Sequence, residues 1–168
     1  MEADFGGHEV ALLDCCSLLN LYATRRLAEI LGALGVRFAV AEAVVLQPLV
    51  ATGLLDVWQP KSEAEYVSFV NFAAEIDDGE AMTCALALHR GGAVVTDDRK
   101  TLRVLARLAP AVPALTTSQV LRLWVDSSRV DQTVIRTALV DVQARARFAP
   151  GKHDPLVGWW EGILGRVV

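Results

Sequence analysis

The sequence predicts an α/β fold, a parallel central sheet flanked by helices. Three observations point there. Two short apolar runs, Val10-Ala-Leu-Leu13 and Ala93-Val-Val-Thr96, each lead straight into an acid, Asp14 and Asp97. Runs this short and this apolar read as strands buried on both faces. They alternate with longer segments of helical periodicity, and strands alternating with helices build parallel sheets through right-handed crossovers. Finally, 168 residues that are 53% hydrophobic and 21% charged hold enough apolar material for one core and too much for a disordered chain.

Taken in order, Val10–Leu13 is the first strand. Ser17 is placed to cap a helix from Leu18 to Leu34, whose apolar stripe runs through Leu19, Tyr22, Leu27, Ile30 and Leu31 and which ends at Gly35. Val36–Val40 is the second strand, Ala43–Ala51 a short helix, and Leu54–Trp58 a short strand before Pro60. Ser62 and Glu65 have capping-box spacing, which starts a helix reaching Ala74. After a break at Ile76-Asp-Asp-Gly79, a helix runs from Glu80 to His89 and stops at Gly91-Gly92. Ala93–Thr96 is the third buried strand, and Asp98 is an N-cap for a helix to Leu108. Pro110 and Pro113 bracket a strand near Val112–Leu115, Thr117 or Ser118 caps a helix to Asp126, and Asp131 caps a long helix to Ala146. The domain is expected over residues 1–148, with residues 149–168 an irregular tail whose Trp159 and Trp160 pack onto the body or a partner.

Charge and cysteine usage exclude several classes. The net charge is −4, so the chain is no general nucleic-acid coat. Residues 1–121 carry 9 Lys/Arg against 15 Asp/Glu, whereas residues 122–168 carry 7 against 5, so the C-terminal part is the one suited to phosphates. Cys15, Cys16 and Cys84 form no CxxC pair and read as reduced packing residues. Glu2, Asp4 and Glu9 stand where a secretion signal carries Lys or Arg, and a cytoplasmic protein is expected. The apolar stretch from Phe38 to Leu55 is interrupted by Glu42, Gln47, Pro48 and Gly53, so no membrane span is expected. There is no Gly-rich phosphate loop, and His8, His89 and His153 lack zinc-ligand spacing.

The acids carry the functional reading. Asp14 and Asp97 each follow a buried strand, so both belong to the carboxyl edge of the sheet, where ligands of such folds bind. Glu80 follows Asp78-Gly79 at a helix start, where a carboxylate is favoured. Carboxylates converging in a partly buried cleft repel one another and resist losing water. A hard divalent cation relieves both penalties, and Mg²⁺ takes oxygen ligands. Such an ion polarises a phosphoryl oxygen and acidifies water, the needs of phosphodiester hydrolysis.

Three segments carry a resemblance. Val10-Ala-Leu-Leu-Asp-Cys-Cys-Ser-Leu-Leu-Asn-Leu-Tyr22, Asp78-Gly-Glu-Ala-Met-Thr-Cys-Ala-Leu-Ala87 and Val94-Val-Thr-Asp-Asp-Arg-Lys-Thr-Leu-Arg-Val-Leu-Ala106 together resemble PIN-domain ribonucleases, in particular toxin-like members of the VapC type. The likeness covers roughly residues 9–125 and rests on the order of the three motifs. It implies a three-layer sandwich and Mg²⁺- or Mn²⁺-dependent cutting of RNA. Asp14, Glu80 and Asp97 match the family's metal-binding acids, with Asp98 as an outer acid. Arg99, Lys100 and Arg103 on the following helix, and Thr117 near the cleft, are the RNA-contact candidates. The implied partners are RNA, a small antitoxin covering the cleft, and a second copy of the chain. One departure stands out: Val44-Val-Leu-Gln47 places an amide where the family has a Glu.

Two other readings come from the same residues. With Gln47 lowering the negative charge, a degenerate PIN domain would bind RNA or protein without cutting it. A phosphatase or phosphotransferase would use Asp14 as nucleophile, but such enzymes place a second Asp two residues on, where this chain has Cys16.

Overall fold

The computed structural model describes residues 4–41, 51 and 53–165. Five parallel strands, β1 (Val10–Leu13), β2 (Arg37–Ala41), β3 (Asp56–Trp58), β4 (Ala93–Val95) and β5 (Ala114–Leu115), lie in the order β3-β2-β1-β4-β5. Helices cover both faces, giving a three-layer α/β sandwich. β1 is the central strand: Leu13 sits beside Val40 on one side and Val95 on the other, and Ala11, Leu12 and Leu13 are fully buried. The chain builds outward from β1 through β2 to β3, then crosses back to place β4 on the opposite side. The strand order therefore reverses between β1 and β4, and the carboxyl ends of those two strands flank the crevice in which such sheets bind ligands.

The helices among the described residues are α1 (Cys15–Ala23), α2 (Leu27–Ala33), α3 (Glu63–Ala73), α4 (Asp78–Arg90), α5 (Arg99–Leu108), α6 (Thr117–Ser128), α7 (Gln132–Arg145) and α8 (Val157–Leu164). α4 packs on β1, β2 and β4 and carries α3 outside it. Its Ala81, Cys84, Ala85, Leu86 and Ala87 are fully buried, and the small side chains let the helix approach the sheet closely. α4 ends at Gly91, in the left-handed conformation (φ 63°) that glycine adopts without strain. At Gly92 a side chain is excluded by packing instead, since a Cβ would stand 2.7 Å from Leu12 Cδ1. On the other side α1 packs against α2, α6 and α7, and α2 against α6.

Several expectations are corrected. The long helix over 18–34 is two helices. The Thr24 hydroxyl donates to Leu21 O and accepts from Arg26 N, and Arg25 takes φ 60°. A hydroxyl competing for the helix's own backbone groups ends it, although the apolar stripe runs on. The cap of α1 is Asp14, whose side chain accepts from Ser17 N, and not Ser17. Thr116 caps α6 in a capping box with Gln119, ahead of Thr117 and Ser118. Cys15 and Cys16 are exposed and only Cys84 is buried, because the first turn of α1 stands at the sheet edge. The tail is not irregular throughout. α8 folds there and buries Trp160 against Phe148, with the rings edge to face. The helix expected at Ala43–Ala51, with Gln47, and the nearby Glu42 lie outside the described residues, apart from Ala51.

The capping box at Ser62 and Glu65 and the caps at Asp98 and Asp131 form as the residue patterns predict. No helix among the described residues is long and apolar enough to cross a membrane.

Candidate functional site

The site is built at the carboxyl ends of β1 and β4. Asp14 follows β1 directly, and its backbone N–H is bonded to Val95 O, which ties the two strand ends together. The residue is 3% exposed, and its side chain accepts from Ser17 N at 2.6 Å, so the carboxylate sits on the N-terminus of α1. Burial pushes its carboxyl above the ordinary value. Hydrogen bonds from Thr96 and Ser17 oppose that rise, and the charge of Asp98 adds to it.

Asp97 lies one residue beyond Thr96. Thr117 reaches it twice: the backbone N–H donates to Oδ1 at 2.9 Å and the hydroxyl donates to Oδ2. Asn20 Nδ2 also donates to Oδ2, at 3.0 Å, and the Ser17 hydroxyl at 3.4 Å. Burial raises this carboxyl too; the Thr117 and Asn20 bonds oppose the rise and Asp14 adds to it. Glu80 occupies the first turn of α4 and accepts from the Thr101 hydroxyl at 2.7 Å. Its carboxyl is raised by burial first, then by the charges of Asp98, Asp14 and Asp77. Cys16 is held up by burial and by Asp14, Cys15, Glu80 and Asp97, so its thiol stands within the field of all three acids.

These acids thus face one another electrostatically across one edge. Among the described residues none of the three has an Arg or Lys partner; their hydrogen-bond donors are hydroxyls, backbone N–H groups and one amide. Asp98 is exposed and caps α5 by accepting from Thr101 N at 2.6 Å. Also among the described residues, no three His, Cys, Asp or Glu side chains are gathered tightly enough to hold a metal ion as they stand. The donor chemistry nonetheless fits a hard cation. The oxygens are carboxylate, their negative charge lacks a cationic partner, and Glu80 Oε1 has no hydrogen-bond partner among the described residues.

The basic candidates divide. Arg99 and Lys100 open α5 beside Asp97 and Asp98 and are exposed, and Arg103 turns its Nε onto Arg99 O. Thr117, expected near RNA, is fully buried with its hydroxyl on Asp97, so it holds an acid in place. Asn20 and Ser17 were not singled out as site residues by the sequence. The available signal was two buried polar residues three apart on an otherwise apolar helix, which puts them on one face.

Fold and site define a class: a three-layer α/β protein with one buried and two half-buried acids at its topological switch point. Scans of protein-family models, of curated proteins and of solved structures returned no significant match to this chain.

Proposed function

We propose that the protein is a divalent-metal-dependent ribonuclease of PIN type, with Asp14, Glu80 and Asp97 as its metal-binding acids and Asp98 as an outer acid. One observation carries the reading: three carboxylates from separate elements are partly or fully removed from water, each has its pKa raised by burial with Asp14 adding to the rise at Glu80 and Asp97, and none has a cationic side chain to neutralise it among the described residues. Buried like charges cost free energy unless an opposite charge joins them. A divalent ion bound there supplies that charge and, with it, Lewis acidity toward a phosphoryl oxygen and water. The chain's own residues fix the acids. Asn20, Ser17 and Thr117 aim Asp97, Thr101 aims Glu80, and the first turn of α1 aims Asp14. Arg99, Lys100 and Arg103 flank the edge and hold RNA phosphates, contacts that position a strand without reading its sequence. A small antitoxin over the cleft and a second copy of the chain are the protein partners of this reading.

The test is RNA cleavage in Mn²⁺ by the wild type, Asp14→Asn and Asp97→Asn, each checked for folding by circular dichroism. Each substitution is expected to lower the rate by about 10²–10³-fold, as removal of one preorganised charge-stabilising group does. Equal cleavage by all three would end the reading. RNA binding by the wild type without any cleavage would support instead a degenerate domain that binds without cutting.

A further inference from the structure

The C-terminal segment returns to the acidic edge. Asp154 N donates to Gly151 O at 2.8 Å, closing a tight turn that leaves Lys152 and His153 exposed at its tip. Asp154 then fastens the turn to the start of α6, where its Oδ2 accepts from the Ser118 hydroxyl at 2.6 Å while its Oδ1 accepts from Leu156 N. Ser118 is fully buried and adjoins Thr117, the residue that holds Asp97. Beyond the turn, Trp160 is buried and Trp159 lies under the Arg122 guanidinium at 5.6 Å, so the segment is anchored again after Asp154. Directly after Asp97 and Asp98 in the chain, Arg99 and Lys100 begin α5 and are exposed. None of Arg99, Lys100, Lys152 and His153 has an ion-pair partner among the described residues.

We infer that the Gly151–Asp154 turn is the second basic wall of a phosphate track, and that single-stranded RNA crosses the acidic edge between Lys152 and His153 on one side and Arg99 and Lys100 on the other. The inference rests on the ribonuclease reading and adds a substrate path to it. The acids between the walls repel any polyanion until a cation joins them. The occupant is therefore a chain whose own charges share divalent ions, as phosphodiesters do. Single strands suit the site because Lys152 with His153 and Arg99 with Lys100 form two short exposed pairs, each able to hold one or two phosphates.

Binding of a fluorescein-labelled oligouridylate to the full chain tests it, by anisotropy in Ca²⁺ across salt from about 50 to 200 mM, with the strand checked intact. For single strands each phosphate contact contributes about 0.7 to the slope of log K against log salt. Lys152→Gln with His153→Gln is expected to flatten the slope by at least about 0.7 and weaken binding severalfold at low salt. Arg99→Gln with Lys100→Gln should flatten it by about 1.4. Arg129→Gln, at the far end of α6 and about 18 Å along that helix from Thr117, should change nothing. If the Lys152/His153 variant binds like the wild type while the Arg99/Lys100 variant is weakened, the second wall is refuted and the ribonuclease reading survives. If Arg129→Gln costs as much as the others, binding is diffuse and there is no track. No RNA binding by the wild type would remove both. Polyglutamate competing as well as RNA would give the track to an acidic protein.

Discussion

Glu80 shows how one carboxyl can report on the site before any substrate is known. Its pKa is raised, so the folded chain binds its proton more tightly than the unfolded chain does. The stability it contributes is complete below its ordinary value of 4.5 and is lost as pH rises through the raised value. At neutral pH the ionised group therefore strains the metal-free fold. Glu80→Gln keeps an oxygen for the Thr101 hydroxyl and removes the charge, so the metal-free variant should melt above the wild type. Saturating Mn²⁺ should reverse that order, because only the wild type gains the binding term, about 2.7 kcal/mol at a hundredfold excess over Kd. Scanning calorimetry of both proteins with and without Mn²⁺ measures it, and a variant that gains as much from the metal as the wild type would clear Glu80 of any ligand role.

At the same scale, Asp14 and Asp97 were legible because a polar residue ending a fully apolar strand stands out in one dimension. Asn20 and Ser17 were not. A buried Asn on a helix acquires meaning only when a strand end from 77 residues away is laid beside it, as Asn20 and Asp97 are.

Among the elements, the start of α3 is the one whose cap the sequence states most directly. Glu65 accepts from Lys61 N at 2.6 Å, Ser62 N at 3.0 Å and Arg90 Nε at 2.6 Å, joining the capping box to the end of α4. Arg90 itself lies over the Trp58 ring at 4.9 Å and donates to Gln59 O, so the same guanidinium ties both helices to β3. The Arg90 hydrogen bond leads in pulling the Glu65 carboxyl down to about 2, with backbone donors helping and burial opposing. A lowered carboxyl works in the opposite sense to Glu80. Its stability is present above the ordinary 4.5 and is lost as pH falls toward about 2. Glu65→Ala should cost about 2–4 kcal/mol at neutral pH, since it breaks a largely buried pair and a cap together. It should also remove that acid-induced loss of stability. Urea unfolding at neutral and acidic pH checks both parts; a cost equal at the two would mean that the ion pair contributes nothing. The box was readable from Ser-x-x-Glu spacing, whereas Arg90, 25 residues on, was not. The break between α1 and α2 was equally hidden, because periodicity records which faces are buried and not whether a hydroxyl interrupts the backbone ladder.

For the molecule as a whole, the C-terminal segment decides how much of the chain acts as one unit. Trp160 is 1% exposed and packs against Phe148, and among the described residues its indole N–H has no hydrogen-bond partner. Trp160→Ala should therefore cost about 3–5 kcal/mol, the range for emptying a large buried aromatic site. Trp160→Phe should cost much less, because it sheds an unsatisfied donor along with part of the volume. Thermal unfolding of the two variants tests this, and equal melting points would show that the ring's packing is not what holds α8.

By itself the sequence determined the alternation of buried strands with helices and the placement of Asp14 and Asp97 at strand ends. It also determined the capping chemistry at Ser62, Asp98 and Asp131. Each of these is a local pattern of apolar spacing and short-range hydrogen bonding. Only the tertiary structure decided that the strand order reverses between β1 and β4, that Asn20 and Thr117 hold Asp97, that α8 folds despite Gly158 and Gly162, and that Asp154 brings Lys152 and His153 back to Ser118. Those outcomes depend on contacts between residues tens of positions apart. Their stability comes from apolar burial and shared hydrogen bonds, which exist once the layers have packed and which no short window of sequence contains.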